Sequence, residues 1–422
     1  MINNRSIKAV SQATYHEQFM RPLYDSYCFS NIPGTIEYLL TGTQNRTLPL
    51  DTLGKKTRSN KVLLLFIDSF GWVFFEKYKN RYPFLSRFVK QGTVSKLTSQ
   101  FPSTTAAHVT NIHTGLTSGE SGIYEWTYWE PKIQQLINPL LFSVADGSKG
   151  RGTLNALGVK PSDLFPRQTI YQRLKEKGIT SHIHQYNMYT PSEYSDVVFD
   201  GAIIHPYSSF ARGLTELADN INNTSGKQYF FYYYDFIDGA AHLGGPDSPF
   251  QLAEIHNTFT MLEDLLYKKI ANIEDLTILL TADHGMASVD PATCIYIDQL
   301  PTYQKHIKPY LEKHNKKPIA PIGSPRDMFL RISDQHTATV IDHLTPLLKG
   351  RVEVVATRTL IEQGFFGSAS DEFKAKVGSI TLLPYNKNAV WWYGENGEFK
   401  LTYHGHHGGL TPQEMQIPFL VL

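Results

Sequence analysis

The sequence predicts an α/β fold: a doubly wound, mainly parallel central sheet with helices on both faces. Three stretches carry that prediction. Residues 61–67, 229–234 and 276–281 are continuous apolar, β-rich runs. Such runs suit strands buried on both faces, as in a parallel sheet covered by helices. Helix-then-strand units between them support double winding: Thr169 caps a helix over 170–177, Gly178 closes it, and 179–184 is the next strand.

Each apolar run ends in a carboxylate. Asp68 follows the first, with Ser69-Phe70-Gly71 behind it, and Asp283-His284-Gly285 follows the last. The middle run continues through Asp235-Phe236-Ile237 to Asp238, with His242 four residues on. In a parallel sheet all carboxyl ends emerge on one edge, where ligands bind. Asp68, Asp238, Asp283, His242 and His284 then converge. Any one of these alone is more simply a turn former or an N-cap. Three such endings, two with histidine within four residues, outline a metal site. Mixed oxygen and imidazole donors suit Zn2+, and after it Mn2+, better than Mg2+ or Ca2+. Five donors exceed the needs of one tetrahedral ion, so two divalent ions are expected.

Along the chain, residues 1–60 are mixed and polar, with a short helix expected over 35–40. After Asp68, the pattern of 83–92 predicts an amphipathic helix closed by Gly92, and 93–98 a strand. Residues 101–115 then run from strand to turn to helix: Pro102 breaks the strand, Ser103, Thr104 and Thr105 offer N-caps, and Gly115 closes the helix. A hydroxyl at a helix N-terminus lies where a phosphate would rest. Beside a metal edge, one of these three becomes a candidate nucleophile rather than a mere cap.

Residues 119–165 read as loop-rich, with an aromatic stretch at Tyr124-Glu125-Trp126. A helix over 249–270 places Leu252, Ile255, Phe259, Leu262 and Leu266 on one face. From 288 to 402 the pattern changes to a small α/β unit: strands at 327–332, 352–356, 379–383 and 389–393, helices at 337–348 and 359–364. The expected division is 1–60 as an N-terminal extension, 61–287 with 403–422 as the core, and 288–402 as an inserted cap. The chain returns through His404-Gly405-His406-His407-Gly408-Gly409 to a last strand at 417–422. Three histidines in four residues among glycines have no packing logic on a strand and fit a ligand-donating loop.

Lys plus Arg at 40 against Asp plus Glu at 39 leaves a net charge of +1. No basic stripe is present, which excludes long nucleic acid as the main partner. Two cysteines, Cys28 and Cys294, are too few for a disulfide framework and point to a reducing compartment. The start, Met1-Ile2-Asn3-Asn4-Arg5, lacks the apolar core of a signal peptide, and no apolar run approaches the ~20 residues of a membrane span. A cytoplasmic enzyme is expected.

With these stretches in place the chain resembles the alkaline phosphatase superfamily, and within it the type I phosphodiesterase/nucleotide pyrophosphatase family, from about residue 61 to 422. The resemblance implies an alkaline-phosphatase-like core and a hydrolase that cleaves phosphodiester or pyrophosphate bonds of small, nucleotide-type substrates through a covalent phospho-threonine. It implies that one metal is held by Asp68, Asp283, His284 and the nucleophile. Counting back from Thr114-Gly115-Leu116, the family's nucleophile falls on Thr105. The Asp-x-x-x-His pair of the other metal falls on Asp238 and His242, and its closing histidine, from His-Gly-Gly-Leu-Thr-Pro, on His407. Where the family often has an asparagine that holds a phosphate oxygen, this chain has His108, whose imidazole could still donate a hydrogen bond. Tyr124 and Trp126 are expected to offer a stacking surface for a base, with a place in the core as the competing fate.

Rival readings separate on residues. A sulfatase needs a Cys/Ser-x-Pro-x-Arg pattern, which Ser103–Ala107 lacks. Monoesterases tend to place an arginine or lysine over the terminal phosphate, and the nucleophile stretch has none, which favours diesters. The stretches at 106–108 and 124–126 also lie near phosphonoacetate hydrolase. A catalytically silent metal-bound interaction module is the reading from another class, and all seven expected metal-ligand positions being filled speaks against it.

Overall fold

A computed structural model describes residues 1–16, 18–145 and 150–422. Seven strands form the central sheet: β1 Lys61–Ile67, β2 Thr93–Thr98, β3 Thr180–Tyr186, β4 Ile203–Tyr207, β5 Gln228–Tyr234, β6 Leu276–Thr281 and β7 Gln416–Val421. Their order is β2-β7-β6-β1-β5-β3-β4. The run from β6 to β4 is parallel, and β7 is antiparallel to both β6 and β2. Every residue of β5 and β6 is buried, and every residue of β1 but Lys61 is. Burial of a side chain such as Leu64 or Leu279 contributes about 2 kcal/mol each.

Register does the positioning. Gln228 and Leu276 both lie opposite Lys61, and Tyr234 lies opposite Ile67. The three apolar strands therefore start and finish level, and the aspartates that follow them leave the sheet at one edge. Because β7 is reversed, its first residue, Gln416, lies at that same edge. The histidine loop before it is thus delivered to the carboxyl ends of its neighbours.

Helices flank the sheet: α1 Pro83–Gln91, α2 Thr105–Thr114, α3 Ile170–Glu176, α4 Phe210–Asn223, α5 Phe236–Gly244 and α6 Pro249–Met261. The start of α1 is set by Pro83, and it buries Phe84, Leu85 and Phe88. Gly92 does not close it in the left-handed region as expected; its φ is −102°. A Cβ there would lie 2.1 Å from the Val421 carbonyl oxygen, so close approach to β7 requires the glycine. The expected 249–270 helix is α to Met261, makes a π turn over Leu262–Tyr267 and is α again over Lys268–Ile270. Ile255, Phe259, Leu262 and Leu266 are buried, while Leu252 is 37% exposed.

Edge strand β4 and helix α4 are among the elements not expected from the sequence. Edge strand β4 is only half buried and contains Pro206, so it shows no apolar run. Helix α4 buries Phe210, Leu214, Leu217, Ala218 and Ile221, a helical spacing that was legible. The expected loop at 119–165 also holds a three-stranded antiparallel sheet, Tyr128–Glu130, Gln135–Asn138 and Ser143–Val144. Those strands are too short to show alternation.

Within 288–402, Met328–Leu330, Ile380–Pro384 and Val352–Ala356 form a second antiparallel sheet beside the helix Asp334–Leu348. Ile297, Leu330, Val340, Leu344 and Leu382 belong to a hydrophobic cluster of its own. Phe329, Phe365, Phe366 and Phe373 instead join the main core. At the N-terminus the helix Ile32–Thr41 is longer than expected, and Phe29 packs on Phe66 and on His108. No helix of the described residues is long and apolar enough to cross a membrane.

Candidate active site

The turn after β1 carries Asp68 and the turn after β6 carries Asp283 and His284, all buried. His284 Nε2 lies 3.5 Å from Asp68 Oδ1 and 3.3 Å from Asp283 Oδ2. The opposite oxygens are tied down: the Ser69 and His284 amides donate to Asp283 Oδ1, and the Tyr233 hydroxyl donates to Asp68 Oδ2. Asp238 and His242 lie four residues apart on α5, which puts them on one face. His242 Nε2 is 3.4 Å from Asp238 Oδ2 and 3.2 Å from His407 Nε2, and His407 Nε2 is 3.7 Å from Asp238 Oδ1. The rings of His284 and His407 stack at 3.6 Å, so the two groups adjoin.

The tautomers follow from the partners of the other ring nitrogen. Nδ1 of His242, His284 and His407 faces the carbonyls of Gly405, Gly285 and Ser103 at 2.8–2.9 Å. With Nδ1 donating, each Nε2 keeps a lone pair that points inward. Burial pushes His284 and His407 well below the usual histidine range, which keeps them neutral. Burial raises Asp68, with the charges of Asp283 and Asp238 adding to it, and pushes Asp283 up to about 7.

Asp68 Oδ1, Asp238 Oδ1 and Asp283 Oδ2 are buried and receive no hydrogen bond. Inward carboxylate oxygens and imidazole lone pairs without donors are the chemistry of a divalent-cation site, and the backbone carbonyls behind the rings are the usual support. Asp68, Asp283 and His284 form one compact donor group, and Asp238, His284 and His407 another. The short distances from His242 place it with the second. These residues fit divalent metal ions.

Of the three clustered hydroxyls, two are occupied elsewhere. Ser103 Oγ donates to the Gly409 carbonyl at 2.8 Å and Thr104 Oγ1 to the Tyr124 carbonyl at 2.8 Å. Thr105 Oγ1 lies 3.4 Å from Asp68 Oδ2 and 3.3 Å from His284 Nε2. It opens α2, whose N-cap Thr104 makes no side-chain cap bond. The first amides of that helix are free to face an anion. A cavity of about 580 Å³ opens over this edge, and Trp126, 47% exposed, forms part of its wall.

Two expected substrate contacts lie elsewhere. His108 is buried away from the cavity, with Nδ1 donating to the Thr104 carbonyl and Nε2 accepting from the Gln100 amide. Burial pushes it down to about 3, so it braces the turn at Thr104 and Thr105 as a neutral ring. Tyr124 is buried, stacked on Tyr128 and edge-on to Phe329 and Phe373. The competing fate, a core aromatic, applies to Tyr124 but not to Trp126. His404 is exposed, and the His406 ring packs against His242 at 5.0 Å.

The cavity wall also contains residues the sequence reading passed over. Asp235 ends β5 as Asp68 ends β1, a legible signal; it accepts from the Tyr189 hydroxyl, and burial pushes it up to about 6. Arg151 and Lys400 arrive from loops remote in sequence, which no local pattern announces.

The family model described as type I phosphodiesterase/nucleotide pyrophosphatase matches residues 62–410. Murine ectonucleotide pyrophosphatase/phosphodiesterase 5 superposes with a TM-score of 0.62 at 18% identity, over 86% of this chain and 87% of that one. The human protein of the same name gives 0.61 at 19%, with the same coverage. An inactive variant of the murine protein in complex with AMP gives 0.61 at 18%, again over 86% and 87%. At that identity the likeness establishes a shared fold, a large mixed sheet flanked by helices of the alkaline-phosphatase-like kind. No curated protein sequence matches the chain.

Proposed function

We propose, from the premise that this chain belongs to the type I phosphodiesterase/nucleotide pyrophosphatase family, that it is a metal-dependent hydrolase with Thr105 as its nucleophile. Its substrates are small phosphodiesters or pyrophosphates of the nucleotide type. The observation that carries this reading is the hydroxyl sorting: Ser103 and Thr104 are committed to carbonyls, and Thr105 alone faces the Asp/His cluster.

Asp68, Thr105, Asp283 and His284 would hold one divalent ion, and Asp238, His242 and His407 the other, Zn2+ first and Mn2+ second on donor type. Two such ions supply positive charge that lowers the pKa of a nearby hydroxyl or water and screens the oxygens of the transferring phosphoryl group. Thr105 Oγ1 loses its proton to solvent and attacks phosphorus. The Oγ1–P bond forms, the bond to the leaving oxygen breaks, and that oxygen departs with the electron pair. The first amides of α2 orient the phosphoryl oxygens. Water then attacks the phospho- or nucleotidyl-threonine and restores the hydroxyl.

Trp126 in the cavity wall and the AMP complex of the murine relative support a nucleotide-type substrate. Arg151 and Lys400 favour a second reading, because cations there could meet the extra charge of a phosphomonoester or of phosphonoacetate. Two hydrophobic clusters support a core with an inserted 288–402 cap. Cys28 and Cys294 are free, which supports a reducing, cytoplasmic setting.

One panel decides among these readings: Zn2+- or Mn2+-loaded protein on thymidine 5′-p-nitrophenyl phosphate, bis-p-nitrophenyl phosphate, ATP, p-nitrophenyl phosphate and phosphonoacetate. Turnover of the diesters or ATP above the monoester is expected. Turnover of the monoester or phosphonoacetate alone selects the second reading. Bound metal with no turnover at all points to a silent module.

A further inference from the structure

A buried acidic pair lies outside the metal-facing set, between the core and the 288–402 segment. Glu125 comes from the turn beyond α2 and Asp327 from the loop before Met328–Leu330, and both are fully buried. The two carboxyl groups lie close enough to interact, the Glu125 charge raising Asp327, and their loops are joined where the Gly323 amide, four residues before Asp327, donates to the Thr127 carbonyl, two residues beyond Glu125. Each has one oxygen otherwise accounted for: the Trp126 amide donates to Glu125 Oε2 at 2.6 Å, and Ser324 Oγ meets Asp327 Oδ1 at 2.5 Å. Glu125 Oε1 and Asp327 Oδ2 are buried and have no hydrogen-bond partner among the described residues.

Two facing buried carboxyls need a cation or a proton between them. Arg326, the chain neighbour of Asp327, is spent elsewhere: Nε and Nη2 on Glu414, and Nη1 on the carbonyls of Tyr385 and Asn388. Among the described residues, neither carboxyl belongs to a group of three or more metal-type donors. A proton remains.

We propose that Glu125 and Asp327 share one proton, and that this carboxyl–carboxylate hydrogen bond latches the inserted segment onto the Thr105 turn and the His407 loop. The latch bears on both loops through short links. The Gly323 amide donates to the Thr127 carbonyl at 3.0 Å, and Ser324 Oγ lies 2.9 Å from the His407 carbonyl oxygen. Gly408, at φ +125°, has no room for a Cβ, which would lie 2.5 Å from both Asp327 Oδ1 and Ser324 Oγ. On its other side the Gly408 carbonyl accepts from the Ser103 amide at 3.1 Å. Thr104 Oγ1 donates to the Tyr124 carbonyl, next to Glu125. Glu125 and Asp327 are therefore positioning residues.

The other charged or titratable groups around the pair are Arg326 with Glu414, Tyr124, and Arg331 beyond Tyr124. Burial pushes Glu125 up to about 7, and burial with the Glu125 charge raises Asp327. A carboxyl whose folded pKa lies above its unfolded value adds stability at low pH. That stability is lost as pH rises through about 7.

The latch is read by stability and loop protection, so it stands or falls apart from the role of Thr105. Thermal unfolding of the Zn2+-loaded full chain from pH 5 to 8 is compared for wild type, Glu125→Gln and Asp327→Asn, with hydrogen exchange of residues 404–410. The wild-type Tm should drop by about 3 °C more over that range than either amide variant, whose N–H···O bond needs no shared proton. Asp327→Ala should cut protection of 404–410 at least ten-fold, and Asp327→Asn should restore it. Amide variants with the wild-type pH slope would overturn the proposal. So would an Asp327→Asn protein as loosely protected as Asp327→Ala. Should the alanine variant fail to fold, the amide variants alone carry the test.

Discussion

Thr105 differs from Ser103 and Thr104 in what its oxygen faces, and that difference is testable residue by residue. Thr105→Ala should abolish turnover, by about 10⁴-fold or more if a covalent route is lost, while metal content measured by atomic emission stays near that of wild type. An active Thr105→Ala with a dead Thr104→Ala would shift the nucleophile by one. His407 Nε2 sits 3.2 Å from His242 Nε2, whereas His406 pairs through its backbone with Ala287. His407→Ala should therefore lose bound metal and nearly all activity, and His406→Ala should retain both metal and activity. The reverse result would reassign the ligand. Trp126 is exposed in the cavity wall, so Trp126→Ala should raise KM for a nucleotide ester about ten-fold, the factor that 1.4 kcal/mol of lost stacking gives. It should leave Tm and a bare aryl phosphate almost unchanged; a large fall in Tm would return Trp126 to the core.

At the scale of elements, the site depends on how closely the turns after β1 and β6 approach. A Cβ on Gly71 would lie 2.5 Å from Gly285 Cα, and one on Gly285 would lie 2.1 Å from the Gln413 carbonyl oxygen. These glycines let the Asp68 turn, the His284 turn and the segment leading into β7 stack backbone on backbone. Gly71 has φ −63°, so alanine there meets no backbone strain, only the clash. Overpacking of this kind costs about 1–3 kcal/mol. Gly71→Ala should lower Tm by a few degrees and weaken Zn2+ binding about ten-fold or more in a competition titration. Wild-type affinity in that variant would show that the turns have room to part.

For the molecule as a whole, metal binding and pH are linked through the buried aspartates. Burial raises Asp68 and Asp238 and pushes Asp283 up to about 7 when no cation faces them. Raised carboxyls stabilise the metal-free fold at low pH, and that contribution disappears as pH rises through about 7. A metal must displace those protons, so its affinity climbs over the same window. Added Zn2+ should raise Tm more at pH 8 than at pH 5.5; where its concentration is a hundredfold above Kd, binding stabilises the fold by about 2.7 kcal/mol. An equal gain at both pH values would mean that these carboxylates are already ionised without metal.

How much of this was legible depended on whether the signal lies within one stretch of chain. The apolar runs ending in Asp68, Asp238 and Asp283, the four-residue spacing to His242 and the strand–turn–helix at 101–115 are local patterns. Solvation and backbone geometry impose them wherever the strand or helix forms, so the sequence by itself determined the fold class and which carboxylates and imidazoles gather at one edge of the sheet. Which of three hydroxyls points inward, and whether Tyr124 or Trp126 reaches the cavity, depends on carbonyls of Gly409 and Tyr124 and on rings of Phe329 and Phe373 brought in from elsewhere. The same holds for Arg151, for Lys400 and for the meeting of Glu125 with Asp327, whose partners are far apart in the chain. Only tertiary structure decided these, because a side chain's direction and pKa are set by neighbours that packing, not sequence order, supplies.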